Sequence, residues 1–424
     1  MPADCPSVGD VAHVTLRLGR LMLANGADTA HVQEAVTAFA KRLGYHAHLL
    51  VGSEGLLLTI ENERGFRTKL GPTISGAAVN MGALAALDRI GRQDAATDIA
   101  VVDRQLDKVE LGGSRYPGWL VVLGMGVTAA ALARLFGAVW SVVGVSVLVG
   151  IATQLVRQRL GTSSTNPIAG AGIAAFVGGL VGALAMKTFP DASPTLCLVA
   201  AGMILVPGVP LLNGVRDTLG SHVGTGLARL TLGTVTVLSI AFGLFLAAYV
   251  AGDTLPVGGM LPLLPVAEDF LFSALAGAGY ALLFNVPVRA AWACVVCAMA
   301  GHGLRTALEH LGLDLAVGSL VGAFAATFVA RLIASRFRVS PVTFAFPGVV
   351  AMIPGSYAFR AGVGGLAIMQ AGAGASPALI GETLGLAVTA IVVTAAIAIG
   401  LCLALALPFT ATTPQTIEAT GDLR

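Results

Sequence analysis

Two proline–glycine pairs, each followed by polar residues, carry most of the chemistry this sequence offers. The first run is Pro207, Gly208, Val209 and Pro210, then Asn213, Arg216 and Asp217. The second is Pro354, Gly355, Ser356 and Tyr357, then Arg360. Proline removes a backbone N–H and clashes with the preceding helical turn, and glycine loosens the chain. Both pairs lie in apolar stretches. A helix broken there exposes N–H and C=O groups that lipid cannot satisfy, so they must face protein or a water-filled cavity. Half-helix ends of this kind hold polar substrates and ions. Pro207, Gly208, Pro210, Asn213, Arg216, Pro354, Gly355 and Arg360 are therefore the candidate substrate-binding residues. The arginines could grip a carboxylate bidentately. Asp217, Glu268 and Asp269 are the candidate proton carriers, because carboxylates near membrane helices are functional candidates by default. The plainer readings are proline kinks at span ends and arginines anchored at the membrane interface.

The elements that must position these residues follow from composition. The chain has 424 residues, 56% of them hydrophobic and only 11% charged, with a mean hydropathy of +0.84. That excludes a soluble enzyme for the chain as a whole, since soluble domains carry about 25% charged residues. The charge is unevenly spread: residues 1–117 hold 12 Lys/Arg and 13 Asp/Glu, and residues 118–424 hold 13 and 10. The reading is an α+β domain over 1–117, a first five-span membrane module over 118–252, and a second module with its C-terminal tail over 253–424. About ten transmembrane helices are expected, near 119–137, 139–156, 167–186, 194–213, 227–250, 266–285, 288–308, 314–335, 341–359 and 381–407. The start has acidic residues and no basic or apolar signal region, so the first domain is expected in the cytoplasm of a multi-pass plasma-membrane protein. Arginines then favour the inner loops, with Arg134, Lys187, Arg305 and Arg360 placed in outer ones. The glycine-rich stretch 362–374 reads as a flexible re-entrant or outer loop.

The membrane part repeats. At an offset of 147, Ser193, Pro194, Pro207 and Gly208 match Ser340, Pro341, Pro354 and Gly355. Both sets fall in the fourth span of a five-span half. Five is odd, so the second half must enter from the opposite side, and the expected fold is an all-α membrane domain built as a 5+5 inverted repeat.

In the first domain the apolar spacing predicts helices over 8–25 and 29–43, with Asp28 or Thr29 as a cap. Strands are expected over 45–51, 56–60 and 66–70, then helices over 75–92 and 95–111. Asp28, His31 and Ser53 could suggest a hydrolase, but a helix cap and an ordinary turn explain them more simply, and His46 and His48 read as a solvated strand face. Cys294 and Cys297 have no partner ligands around them, so neither metal nor cofactor is expected. A net charge of +2 gives no basic patch for nucleic acid. Abundant small-residue faces would allow a homo-oligomer.

Several segments resemble the threonine/serine exporter family: LGRLMLANGADTAHVQEAV, YHAHLLVGSEGLLLTI and VPGVPLLNGVRDTLGSHVGTGLARL, and in the second half FSALAGAGYALLFNVPVRA and FPGVVAMIPGSYAFRAG. The resemblance runs over nearly the whole chain, with two modules fused that some members carry on separate chains. It implies export of threonine and serine driven by the proton gradient, with lipid bilayer, protons and a small amino acid as partners. Related two-chain members imply dicarboxylate export as the alternative. The matching motif residues are Asn25, Gly26, Asp28 and Thr29 in the first domain, of which Asn25, Asp28 and Thr29 are expected to regulate or gate. In the membrane they are Pro207, Gly208, Pro210, Asn213, Arg216, Asp217, Pro354 and Gly355. The family shows an acidic residue shortly after the second-helix valine, where this chain has Val32, Gln33 and Glu34, so no role is carried over to Glu34. A membrane-anchored hydrolase and a channel gated by the first domain are the other readings.

Overall fold

The computed structural model describes residues 7–52, 54–63, 65–74, 79–93, 98–189, 195–253, 262–337 and 339–408. Ser53, Ser193, Pro194 and Arg338 lie outside them.

The N-terminal part is α1 (Val8–Ala24), α2 (Thr29–Arg42), β1 (His46–Val51), β2 (Leu56–Asn62), β3 (Gly65–Leu70), α3 (Met81–Gly91) and α4 (Ile99–Glu110). The strands form an antiparallel sheet in the order β1-β2-β3. Leu56, Leu58 and Ile60 of β2 point into the core, as period-2 alternation requires. There they meet Val11, Leu18 and Met22 of α1 and Val32 and Val36 of α2. His46 and His48 lie on the exposed face of β1. Arg17 of α1 ties down α4 through Asp103, Asp107 and Glu110.

The membrane part begins with α5 (Gly118–Leu135), α6 (Trp140–Gly161) and α7 (Pro167–Met186). Next come the short α8 (Thr195–Met203) and α9 (Gly208–Leu219), then α10 (Val223–Ala251). Its second half opens with α11 (Val266–Leu283), α12 (Ala291–Ala298), a π-helical turn at Met299–Gly303, and α13 (Leu304–His310). It ends with α14 (Leu315–Phe337), α15 (Val342–Val349), α16 (Gly355–Ala371) and α17 (Pro377–Ala406). Among the described residues, eight helices are long and apolar enough to cross a membrane, taking 288–310 as one. A ninth is the bent pair Val342–Met352 and Gly355–Gly374, which turns by 48° at its break. Large apolar side chains such as Leu232, Leu238 and Phe242 of α10 and Ile391 of α17 face outward, where lipid would cover them.

Two of the ten expected spans are not single helices. The spans placed at 194–213 and 341–359 are each interrupted, and the halves shift toward the C-terminus. The stretch 362–374 is also not a loop: α16 runs through Ala371, followed by one 3-10 turn. Glycine is a poor helix former in water. In an apolar setting the backbone must satisfy itself, and only the helix does so within one segment. Arg305 lies in α13 and is mostly buried, not in an outer loop.

Helix packing relies on glycines that let backbones approach. A Cβ on Gly172 of α7 would collide with Ser239 of α10, and one on Gly400 of α17 with the Leu320 carbonyl of α14.

Candidate functional site

The two breaks have nearly the same backbone. Pro207 has φ −75° and ψ 59°, and Pro354 has φ −76° and ψ 52°. Each proline is the centre of an inverse γ-turn. The Gly208 N–H donates to the Val206 carbonyl at 2.8 Å, and the Gly355 N–H to the Ile353 carbonyl at 2.7 Å. Helix α9 or α16 starts immediately afterwards, where a missing proline N–H costs nothing. Pro210 lies in the first turn of α9 on the same terms. The breaks also touch: a Cβ on Gly208 would strike Ile353, and one on Gly355 would strike Val206. Pro207, Gly208, Pro354 and Gly355 therefore come together at one place.

The polar residues after the first break meet the N-terminal domain. Asp28 caps α2, accepting from the His31 backbone N–H, and its other oxygen pairs with Arg216 at 2.8 Å. Asp217 pairs with Arg229 at 3.1 Å and accepts from the Thr29 N–H at 2.9 Å. Asn213 donates to the Gly26 carbonyl at 2.9 Å, and Arg229 to that of Ala27 at 2.9 Å. The loop Gly26–Thr29 is thus held by side chains of α9 and α10. Asn25 closes α1 with its side chain on the Leu21 carbonyl, and Gly26 takes φ +99°, the left-handed turn that aims the loop. Burial works against the charge on Asp28, but the Arg216 guanidinium and then His31 outweigh it and hold the carboxyl below its ordinary range.

A second strand of this interface runs through Asp88 of α3. It accepts from His31 at 2.8 Å and from the Ser340 N–H, just before α15, at 3.1 Å. Burial opposes the charged imidazole. The hydrogen bond and charge of Asp88 and the charge of Asp28 outweigh it, so His31 is held above its ordinary value. Asn285 takes φ +58° and accepts from the Arg115 N–H. The N-terminal domain therefore covers one end of the helix bundle.

The other carboxylates lie at the opposite end. Glu268 pairs with Arg134 at 2.5 Å. Asp269, on the first turn of α11, is buried and accepts from Thr306 at 2.6 Å and from His302 Nδ1 at 2.8 Å. Arg305 lies 2.8 Å from His302 Nε2. A guanidinium can only donate, so Nε2 accepts and Nδ1 carries the proton toward Asp269. His302 is positioned by the π-helical turn, a feature frequent at functional sites. Arg305 and Glu309 sit 3.5 Å apart. Asp269, Arg305, Thr306 and Glu309 line a cavity bounded by the end of α5, by 262–264, and by Pro354 and Tyr357 of the second break. Arg360, one turn beyond Tyr357, is buried in α16.

Of the residues singled out by sequence, Asn213 meets Gly26, Arg216 meets Asp28 and Asp217 meets Thr29. Asp269 stands apart from them with His302, Arg305, Thr306 and Glu309, which sequence reasoning did not select. The available signal was an ionisable histidine and arginine inside an apolar run, CAMAGHGLRT. His31 pairs with Asp88 and Asp28 with Arg216, so they do not form a catalytic dyad.

Residues 13–251 match the family described as "Putative threonine/serine exporter", and residues 269–407 match "Threonine/Serine exporter, ThrE". The "Threonine/serine exporter" of Corynebacterium glutamicum is 24% identical over 84% of this chain and 76% of its own. The "Probable threonine/serine exporter" of Mycobacterium tuberculosis is 26% identical over 83% and 69%. The "Probable succinate transporter subunit YjjP" of Klebsiella aerogenes is 27% identical over 58% of this chain and 96% of its own. No solved structure matches. With one family model spanning more than half of the sequence and a second covering most of the remainder, the chain belongs to the threonine/serine exporter family.

Proposed function

We propose that this chain exports threonine and serine across the plasma membrane, coupled to protons, through two five-span halves inserted in opposite directions, with the N-terminal domain in the cytoplasm. The observation that carries the reading is the meeting of two broken helices with matching backbone geometry beside a cavity lined by charged side chains. Broken helices of this kind mark substrate sites in secondary transporters.

The internal spacing supports the two halves. Helices α5 and α11 each have 18 residues and start 148 apart, and α6 and the 288–310 span also start 148 apart. The breaks are 147 apart. The start of α5, the end of α9, the start of α10, the end of α11 and the start of α15 all face the N-terminal domain or its linker. Those ends fall on one side only if α8 and α9 together cross once. Arg216 also reaches Cys402 near the end of α17, which adds that α15 and α16 together cross once. This arrangement supports the reading of ten crossings.

The relatives named for threonine and serine match 83–84% of this chain, whereas those named for succinate match 57–58% of it. The test uses purified protein in liposomes with an imposed pH gradient and labelled threonine, serine and succinate in parallel. Accumulation of threonine or serine that collapses with a protonophore is expected. Succinate accumulation alone would move the substrate to dicarboxylates, and movement of none of them by folded protein would overturn the reading.

A further inference from the structure

From the geometry of the cavity at the far end of the bundle, we propose that it is a binding site for the zwitterion of an α-amino acid, with Arg305 taking the carboxylate and Glu309 the ammonium group. This rests on the exporter reading and adds the residues and the ligand charge that the site requires.

Arg305 and Glu309 are both mostly buried. Their facing atoms, Nε and Oε1, lie 3.5 Å apart, and neither makes a hydrogen bond. A buried, desolvated pair left this loose forfeits much of what its burial costs. A zwitterion entering between the two groups would give each a short, charge-assisted partner. The rest of the shell is already committed. Asp269 is engaged by His302 and Thr306, and Arg305 reaches His302 Nε2 and the Met352 carbonyl just before the second break. Arg305 is therefore held from two sides with its Nε still available. The Ser356 hydroxyl, in the first turn after that break, is fully buried without a partner. Tyr357 brings a phenol to the cavity wall.

Charge selects the ligand class. His302 accepts from Arg305 on Nε2 and donates from Nδ1, so it is neutral. Asp269 and Glu309 then outnumber Arg305 by one negative charge. A dicarboxylate would add two more negative charges to that excess, whereas a zwitterion adds none and presents one group of each sign. Like-charge placement of this kind disfavours the wrong ligand more strongly than it favours the right one.

The test is calorimetric binding to full-length protein in nanodiscs with L-threonine, N-acetyl-L-threonine, L-threonine amide and succinate. Threonine binds; the acetylated and amidated forms, each lacking one charge, bind at least tenfold more weakly, and succinate does not compete. Arg305→Gln and Glu309→Gln each weaken threonine binding at least tenfold. If either variant fails to fold, the native side chains serve instead. Leu263→Cys places a thiol at the exposed cavity wall, and threonine should slow its maleimide labelling while N-acetylthreonine does not. Threonine transport by wild type with undiminished binding in the folded variants, or labelling of Leu263→Cys unaffected by threonine, overturns this site and leaves the exporter reading intact. Neither binding nor transport of threonine by wild type overturns both.

Discussion

The two broken helices share a backbone and differ in what surrounds the charges near them. Beyond the first break, the charges on α9 and α10 are matched by the N-terminal domain: Asp28 with Arg216, Asp217 with Arg229, and backbone groups filling the gaps. Around the second, Arg305 and Glu309 stand loosely opposed beside a cavity. The chemistry is also uneven between the halves. His302 and Arg305 stand 148 residues after Gln154 and Arg157, whereas the position 148 before Asp269 is Val121. The acid–histidine pair thus belongs to one half only. On the proposed repeat, the scaffold supplies the hinge twice, and the side chains around each break make one end a seal and the other a pocket.

If that contrast is right, the two arginines should fail differently. Arg216→Gln leaves Asp28 buried without its partner and should destabilise the full-length protein by about 3–5 kcal/mol. Asp28→Asn added to it should restore part of the loss, read from thermal unfolding. Because Asp28 is held below its ordinary value, its contribution is present above about pH 4 and is lost as pH falls through the lowered value. Arg305→Gln should cost binding more than stability. Equal destabilisation by both would erase the distinction between seal and pocket.

The contact between the breaks gives a smaller effect. Gly208→Ala places a methyl against Ile353, an overpacking that costs about 1–3 kcal/mol, and should slow transport in the liposome assay. Ile353→Val in the same chain removes the opposing Cδ1 and should recover much of both. No recovery would mean that the breaks do not act on each other.

The smallest effect is a pH trend at the seal. His31 is held above its ordinary value, so its charged bond to Asp88 contributes fully below about pH 6.5 and is lost as pH rises through the raised value. The melting temperature of His31→Gln should fall furthest below wild type in acid, by an amount fitting one hydrogen bond of about 0.5–1.5 kcal/mol, and the gap should close in alkali. A gap independent of pH would remove His31 from the seal's electrostatics.

Much of the scaffold was legible in the sequence because its signals are local. Alternation in β2, the cap at Asp28, and proline–glycine at each break all act within a few residues. The helix through 362–371 was missed because glycine's cost in water says little about an apolar setting. The seal was hidden for another reason. Asp28 and Arg216 were each visible as candidates, but they lie 188 positions apart in the chain and no periodicity links them. Asp269 and His302 are 33 apart, and their meeting depends on a single π-helical turn that no propensity announces.

If the two halves are the proposed repeat, the glycine contacts bear on how it ages. A Cβ added to Gly150 would lie 2.7 Å from the Ala129 methyl, and one added to Gly277 would lie 2.7 Å from the Ala298 methyl. Residues 129 and 277 are 148 apart, as are 150 and 298, so one crossing has alanine opposite glycine and its counterpart has glycine opposite alanine. What the two halves hold in common there is the combined bulk of a facing pair, divided oppositely. An alignment scored on identity counts two mismatches at a junction where both sides keep the same 2.7 Å approach.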